Sequence, residues 1–132
     1  MKKLILIQLL ILISAFAIAD ESGICGENLT WTFVETTGKL TITGSGKMSE
    51  HQSSSSAPWF KFKDKITQVI LDRDITTIAN YAFWKCKGIT SITIPNGVVS
   101  IGSGAFYGTS LTSITLPYSL LKIGDDAFGN SI

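Results

Sequence analysis

The chain has 132 residues, 45% of them apolar, and its 11 basic and 10 acidic residues give a formal net charge of +1. So balanced a charge offers no electrostatic footprint for nucleic acid, and the length holds one modest domain, not two. Two cysteines and a single histidine leave little material for metal or nucleophile chemistry.

Lys2 and Lys3 precede an uncharged apolar run, Leu4 to Ile13, and the small-residue stretch Ser14-Ala15-Phe16-Ala17-Ile18-Ala19. Basic, apolar and small residues in that order make a secretory signal peptide over 1–19, with Ala17 and Ala19 where the peptidase needs small side chains. Cleavage after Ala19 leaves Asp20 to Ile132, with nine basic and ten acidic residues, for secretion or display at the cell surface. A membrane anchor is the rival reading. Gln8 and Ser14 interrupt the run, however, and a spanning helix needs roughly 20 apolar residues. No later segment reads as a transmembrane anchor or a lipid-anchor signal.

Residues 20–65 read as an N-terminal cap and loop. Leu29, Trp31 and Phe33 alternate with polar residues, Glu35 to Gly38 supplies a turn, and Leu40 and Ile42 alternate again. This predicts a β-hairpin over Cys25 to Gly46, offering Trp31 and Leu40 to the open end of whatever follows. Glu50-His51-Gln52 and Ser53 to Ser56 form a flexible polar loop before Pro58-Trp59-Phe60, and Trp59 and Phe60 are expected to pack on the next element. Lys61, Lys63 and Lys65 alternate with Phe60, Phe62 and Ile66, which reads as an edge strand guarded by lysines in preference to a cationic site.

From Ile66 onward the chain repeats. ITQVILDRDITTIANYAFWKCKG (66–88), ITSITIPNGVVSIGSGAFYGTS (89–110) and LTSITLPYSLLKIGDDAFGNSI (111–132) align with Ile66, Ile89 and Leu111 in register. Columns include Val69, Ile92 and Ile114; Leu71, Ile94 and Leu116; Ile75, Val98 and Leu120; Ile78, Ile101 and Ile123; and the repeat-core column Phe83, Phe106 and Phe128, each after an alanine. Each repeat therefore predicts two short strands joined by turns and an Ala-Phe corner with at most a brief helical turn. The fold class is mainly β with little helix, a short right-handed solenoid of three repeats behind a capping hairpin. Stacking would line like residues into ladders.

The columns L-x-x-I-x-I-P, V-x-x-I-G and A-F-x-G resemble BspA-type leucine-rich repeats of the Treponema pallidum class. Cys25-Gly26-Glu27-Asn28-Leu29-Thr30-Trp31, Gly38-Lys39-Leu40-Thr41-Ile42 and Ala57-Pro58-Trp59 are similar to the segment that precedes such repeats. Asp72 departs from the pattern where the next repeats carry Pro95 and Pro117. The resemblance implies attachment to extracellular or cell-surface proteins, host or matrix proteins among them, or to other cells, while the residues themselves supply no catalytic constellation, so no catalysis and no cofactor are expected.

Outward positions of the first strands, Gln68 and Ile70, Ser91 and Thr93, Ser113 and Thr115, make the candidate binding surface, with Trp84 and Tyr107 as candidate aromatic anchors. Packing between repeats competes for both aromatics. The third repeat ends without a polar cap, so self-association through it, as a structural or assembly unit, is the second reading. A small secreted hydrolase built on His51 beside Ser53 to Ser56 is the third, disfavoured because a lone loop histidine is ordinarily solvated. Gly44-Ser45-Gly46-Lys47 fails the phosphate-loop pattern at Thr41 and Met48. Neither Asp72-Arg73-Asp74 nor Asp125-Asp126 has a dedicated calcium spacing, and cysteines as far apart in the chain as Cys25 and Cys86 give no zinc spacing. Asn28-Leu29-Thr30 is a glycan acceptor triplet. Cys25 and Cys86 are a candidate disulfide in an oxidising compartment, although spacing does not show that they meet.

Overall fold

The computed structural model describes residues 19–131, so all but the last residue of the predicted signal peptide lies outside the described residues. Six strands form one sheet, and a three-residue 3-10 helix at Phe60–Phe62 is the one helical element among the described residues. The fold is mainly β, as the repeats predict.

The alternation of Leu29, Trp31 and Phe33 places them on the buried side of β1 (Glu21–Val34), with Leu40 and Ile42 doing the same on β2 (Lys39–Met48). The two pair antiparallel from Val34–Lys39 to Asn28–Ser45, with an irregularity between Gly26 and Asn28. Straight, β1 would span about 45 Å at roughly 3.3 Å per residue. Yet Asp20 N donates to Phe33 O at 2.7 Å, so the strand doubles back on itself about that irregularity.

β2 is more than half of a hairpin. Its first half pairs in parallel with β3 (Gln68–Leu71), Lys39 beside Gln68, and its second half with β4 (Asp74–Ile78), Ser45 beside Asp74. Beyond them, β4 pairs in parallel with β5 (Ser100–Ile101), Ile78 beside Ile101, and β5 with β6 (Lys122–Ile123), Ile101 beside Ile123. Parallel stacking therefore begins at Lys39, upstream of the first repeat read from the sequence. Lys39 to Lys65 makes a coil of its own, and β1 covers its outer edge.

The two strands expected in every repeat form in the first alone. In the next two repeats the first strand is reduced to one bridge, Thr93 to Thr115. The departure at Asp72 explains the difference. Asp72 N donates to Ile42 O at 3.0 Å and completes the ladder of β3, whereas Pro95 and Pro117, at the same place, have no N–H to give.

Rings stack along the core. Trp59 lies 5.8 Å from Phe83, Phe83 lies 5.3 Å from Phe106, and Phe106 lies 5.5 Å from Phe128, all near parallel. Trp59 supplies in the first coil what the Ala-Phe corner supplies later, and Trp31 of β1 closes the column edge-on at 5.9 Å. Trp59 is fully buried and its indole N–H donates to Ala82 O at 2.7 Å. Gly102 and Gly124, which follow β5 and β6, lie against the preceding coil. A β-carbon on them would sit 2.4 Å from Asn80 N or Ser103 N.

The alternating lysines do not form the expected edge strand. Phe60 N, Phe62 N and Lys63 N donate back to the carbonyls of Ala57, Trp59 and Phe60, which winds the segment into the 3-10 helix. That winding buries Trp59 and stacks Phe62 on Phe33 at 4.5 Å. Lys61 pairs with Glu21 at 2.6 Å, Lys63 with Asp64 at 2.8 Å and Lys65 with Glu35, so the lysines are neutralised at the surface and the pairs stabilise little.

Candidate binding face

Gln68, Ile70, Ser91, Thr93, Ser113 and Thr115 are all exposed and form two rows across the coils. Between the first two repeats the face dips into an open groove of about 390 Å³, within the size range of small-ligand sites. Four of the six residues line it, and Leu71, Ile92 and Pro95 give it an apolar floor. Arg73, the chain's single arginine, stands at its end and belongs to none of the three ion pairs among the described residues. Sequence reasoning missed Arg73 and Pro95 as groove residues. Arg73 reads only as part of Asp72-Arg73-Asp74 and Pro95 only as a residue of the repeat pattern, and only the fold shows that the turn between strands borders the face.

Trp84 and Tyr107 pack against each other between repeats. Half-buried, they stack on one another at 4.1 Å and 11°, a second aromatic column outside the Phe column. Asn28 is exposed beside the irregularity in β1. Asp72 is committed to the backbone, one carboxylate oxygen accepting from Gly44 N and the other from Arg73 N.

The cysteines are separate, buried thiols. Cys25 lies at the Met48 end of β2, where Ser49 N donates to its carbonyl, and Cys86 precedes Gly88, which packs on Ile66 at the other end. The length of β2 runs between the two neighbourhoods. Burial pushes the Cys25 thiol up to about 11 and the Cys86 thiol up to about 12.

His51 departs most from expectation. The serine-rich loop does not leave it solvated: it is 6% exposed and edge-on to Trp59 at 6.0 Å, and its Nε2 has no hydrogen-bond partner. Ser53, Ser55 and Ser56 bond with one another. Burial lowers the imidazole pKa from its usual 6.5, against a smaller opposing pull from Glu50. A lowered folded-state value means that the unfolded chain takes up the proton first as pH falls. The contribution of neutral His51 to stability is therefore full above about pH 6.5 and declines below it. With one histidine in the chain, urea midpoints at pH 7 and pH 5 isolate the effect. The midpoint is expected to fall with pH in the native chain, and to fall less in His51→Phe.

Comparison with known proteins fits this geometry. The family described as the BspA-type leucine-rich repeat region, of six copies, matches residues 48–132. The chain belongs to that family. As in the structure, the BspA-type match starts upstream of Ile66, at the end of β2. The chain is also similar in structure to a leucine-rich repeat protein from Eubacterium ventriosum, with 28% identity and a TM-score of 0.72 over 84% of this chain and 36% of that one. A leucine-rich repeat protein from Bacteroides ovatus, 21% identical, shares the fold with a TM-score of 0.55 over 82% of this chain and 33% of that one. This BspA-type chain thus spans about a third of each of these proteins. No curated protein matches it. Among the described residues no helix is long and apolar enough to cross a membrane, and no cluster of three or more His, Cys, Asp or Glu is placed to hold a metal.

Proposed function

We propose that this BspA-type chain is exported and acts at the cell surface or outside the cell as a protein-binding, adhesive module, its partner an extracellular or matrix protein. One observation carries the reading: the outward residues of successive repeats share an exposed face whose groove combines an apolar floor with Gln68, Ser91, Thr93 and Arg73. Apolar area rimmed by polar groups suits a protein partner, and Ile70, 42% exposed, is its most accessible apolar side chain. Export is supported by the order of charges and apolar residues at the N-terminus.

The test is binding of the chain to a panel of immobilised extracellular-matrix proteins, followed by Ile70→Glu and Thr93→Glu. Both positions are exposed, so the fold should hold, while a carboxylate in the groove is expected to weaken binding at least about tenfold. A partner held equally well by the double variant would remove the face from consideration.

A second reading, assembly through the third repeat, rests on exposure there. Ile101 is 1% exposed and its equivalent Ile123 is 45%, while Leu121 is 86% exposed. Light scattering across a hundredfold range of concentration should then show rising mass, and a constant monomer mass would end that reading.

A further inference from the structure

Away from the strand face, the corners that carry the phenylalanines are built on left-handed residues. Tyr81, Gly104 and Asp126 stand at one such position in successive coils, and Lys85, Gly108 and Asn130 at the other, all with φ between 55° and 71°. Glycine suits these positions, and the second repeat uses it twice. A tyrosine held at positive φ is strained, and strain of that kind persists where the side chain is held for a reason.

The Tyr81 ring meets Trp84 edge-on at 5.4 Å and 77°, forming a corner of two nearly perpendicular aromatic faces. That corner overhangs Gly104. A β-carbon there would lie 2.9 Å from Tyr81 Cδ1 and from Trp84 Cε3 and Cζ3. The result is a groove of about 280 Å³, aromatic on the first repeat, floored by Ser103 and Gly104 of the second, and closed on the third repeat by Asp125 and Asp126. Both aspartates are exposed, and neither takes part in any of the three ion pairs among the described residues. Tyr107 stacks on one face of Trp84 at 4.1 Å and Lys85 Nζ stands 6.0 Å from its ring, at the limit of a cation–π contact, so a bound cation is met in the groove by Tyr81 and the remaining surface of Trp84.

An aromatic corner attracts positive charge through the electron-rich faces of its rings, and carboxylates opposite add to the same field. We propose that Tyr81, Trp84, Asp125 and Asp126 form a binding site for an organic cation, either the ammonium or guanidinium of a partner's Lys or Arg side chain or a small quaternary ammonium. The site is distinct from the strand-face groove and stands whether or not that face binds protein.

The full chain, with the indole signals of its tryptophans followed by NMR, is titrated separately with choline, with Nα-acetyl-lysine methylamide, with the arginine equivalent, and with 3,3-dimethylbutan-1-ol, the uncharged counterpart of choline. A cation is expected to shift one indole signal, assigned to Trp84 by its absence in Trp84→Phe, and to bind at least about tenfold more tightly than the alcohol. Which cation binds best tells the two sources apart. Asp125→Asn with Asp126→Asn should weaken the cation about tenfold and leave the alcohol unchanged. Tyr81→Gly separates binding from folding, because it gives the left-handed position the residue that the second repeat uses there, Gly104. Its melting temperature should stay within about 5 °C of the native chain while cation binding is lost. Equal binding of choline and the alcohol, no shift with any cation, or undiminished binding in Tyr81→Gly would each overturn the proposal.

Discussion

Trp59→Ala is expected to lower the free energy of unfolding by about 3–5 kcal/mol, the cost of deleting a large buried aromatic. Trp59 is the ring on which the first coil is anchored to the rest. Phe83 stacks on one side of it, while Trp31 and His51 meet it edge-on. Truncation would open a cavity beneath β1 and strand Ala82 O, which takes the indole N–H. Trp59→Phe keeps a ring in the column and loses that hydrogen bond and some volume, so about 1–2 kcal/mol is expected. Urea denaturation of both variants checks the pair. A Trp59→Ala midpoint within error of the native one would mean that the segment before Ile66 is an appendage and not a coil of the stack.

That outcome bears on what could be read in the sequence. From Ile66 onward, like residue types recur at a near-constant interval, and stacking puts like residues over like, so the phenylalanine column was legible in the letters alone. The first coil was not. Its interval is longer because the serine-rich loop extends it, its corner carries Trp59 in place of Phe, and its two strands run together as β2. Each change hides the period while leaving the packing intact. The lysine-rich segment failed for another reason. Alternation over 60–66 fits period two, but burial of Trp59 and Phe62 in different contacts requires a 3-10 turn.

The outward row of the strand face was equally legible, since alternation on either side of Val69, Ile92 and Ile114 leaves little choice. What turned part of that row into a groove was not. The contribution of Arg73 and Pro95 depends on how the turn after β3 lies against the next coil. His51 shows the limit of composition as a guide: beside four serines it reads as solvated, and Trp59 nearby in space buries it.

Phe106→Ala is expected to be as damaging as Trp59→Ala, about 3–5 kcal/mol, because Phe106 is fully buried and stacked on both faces. Phe128 is half-buried and has one ring neighbour, so Phe128→Ala should cost about half as much, roughly 2 kcal/mol. In a stack where each coil touches only its neighbours, the two losses differ in kind as well as size. Removing Phe106 cuts the column between the coils of Phe83 and Phe128, and a domain with a typical stability of about 5–15 kcal/mol has little left to hold the last coil. Removing Phe128 frays one end and leaves the column from Trp59 to Phe106 whole. Hydrogen exchange distinguishes these outcomes. Phe128→Ala should speed exchange of the amides of Gly124 and Ala127, with those of β4 unchanged, whereas Phe106→Ala should speed exchange of Gly102 and Ala105 as well. Exchange that speeds equally at Gly124, Gly102 and β4 in both variants would mean that the coils melt as one unit and that the ladder is not built up ring by ring.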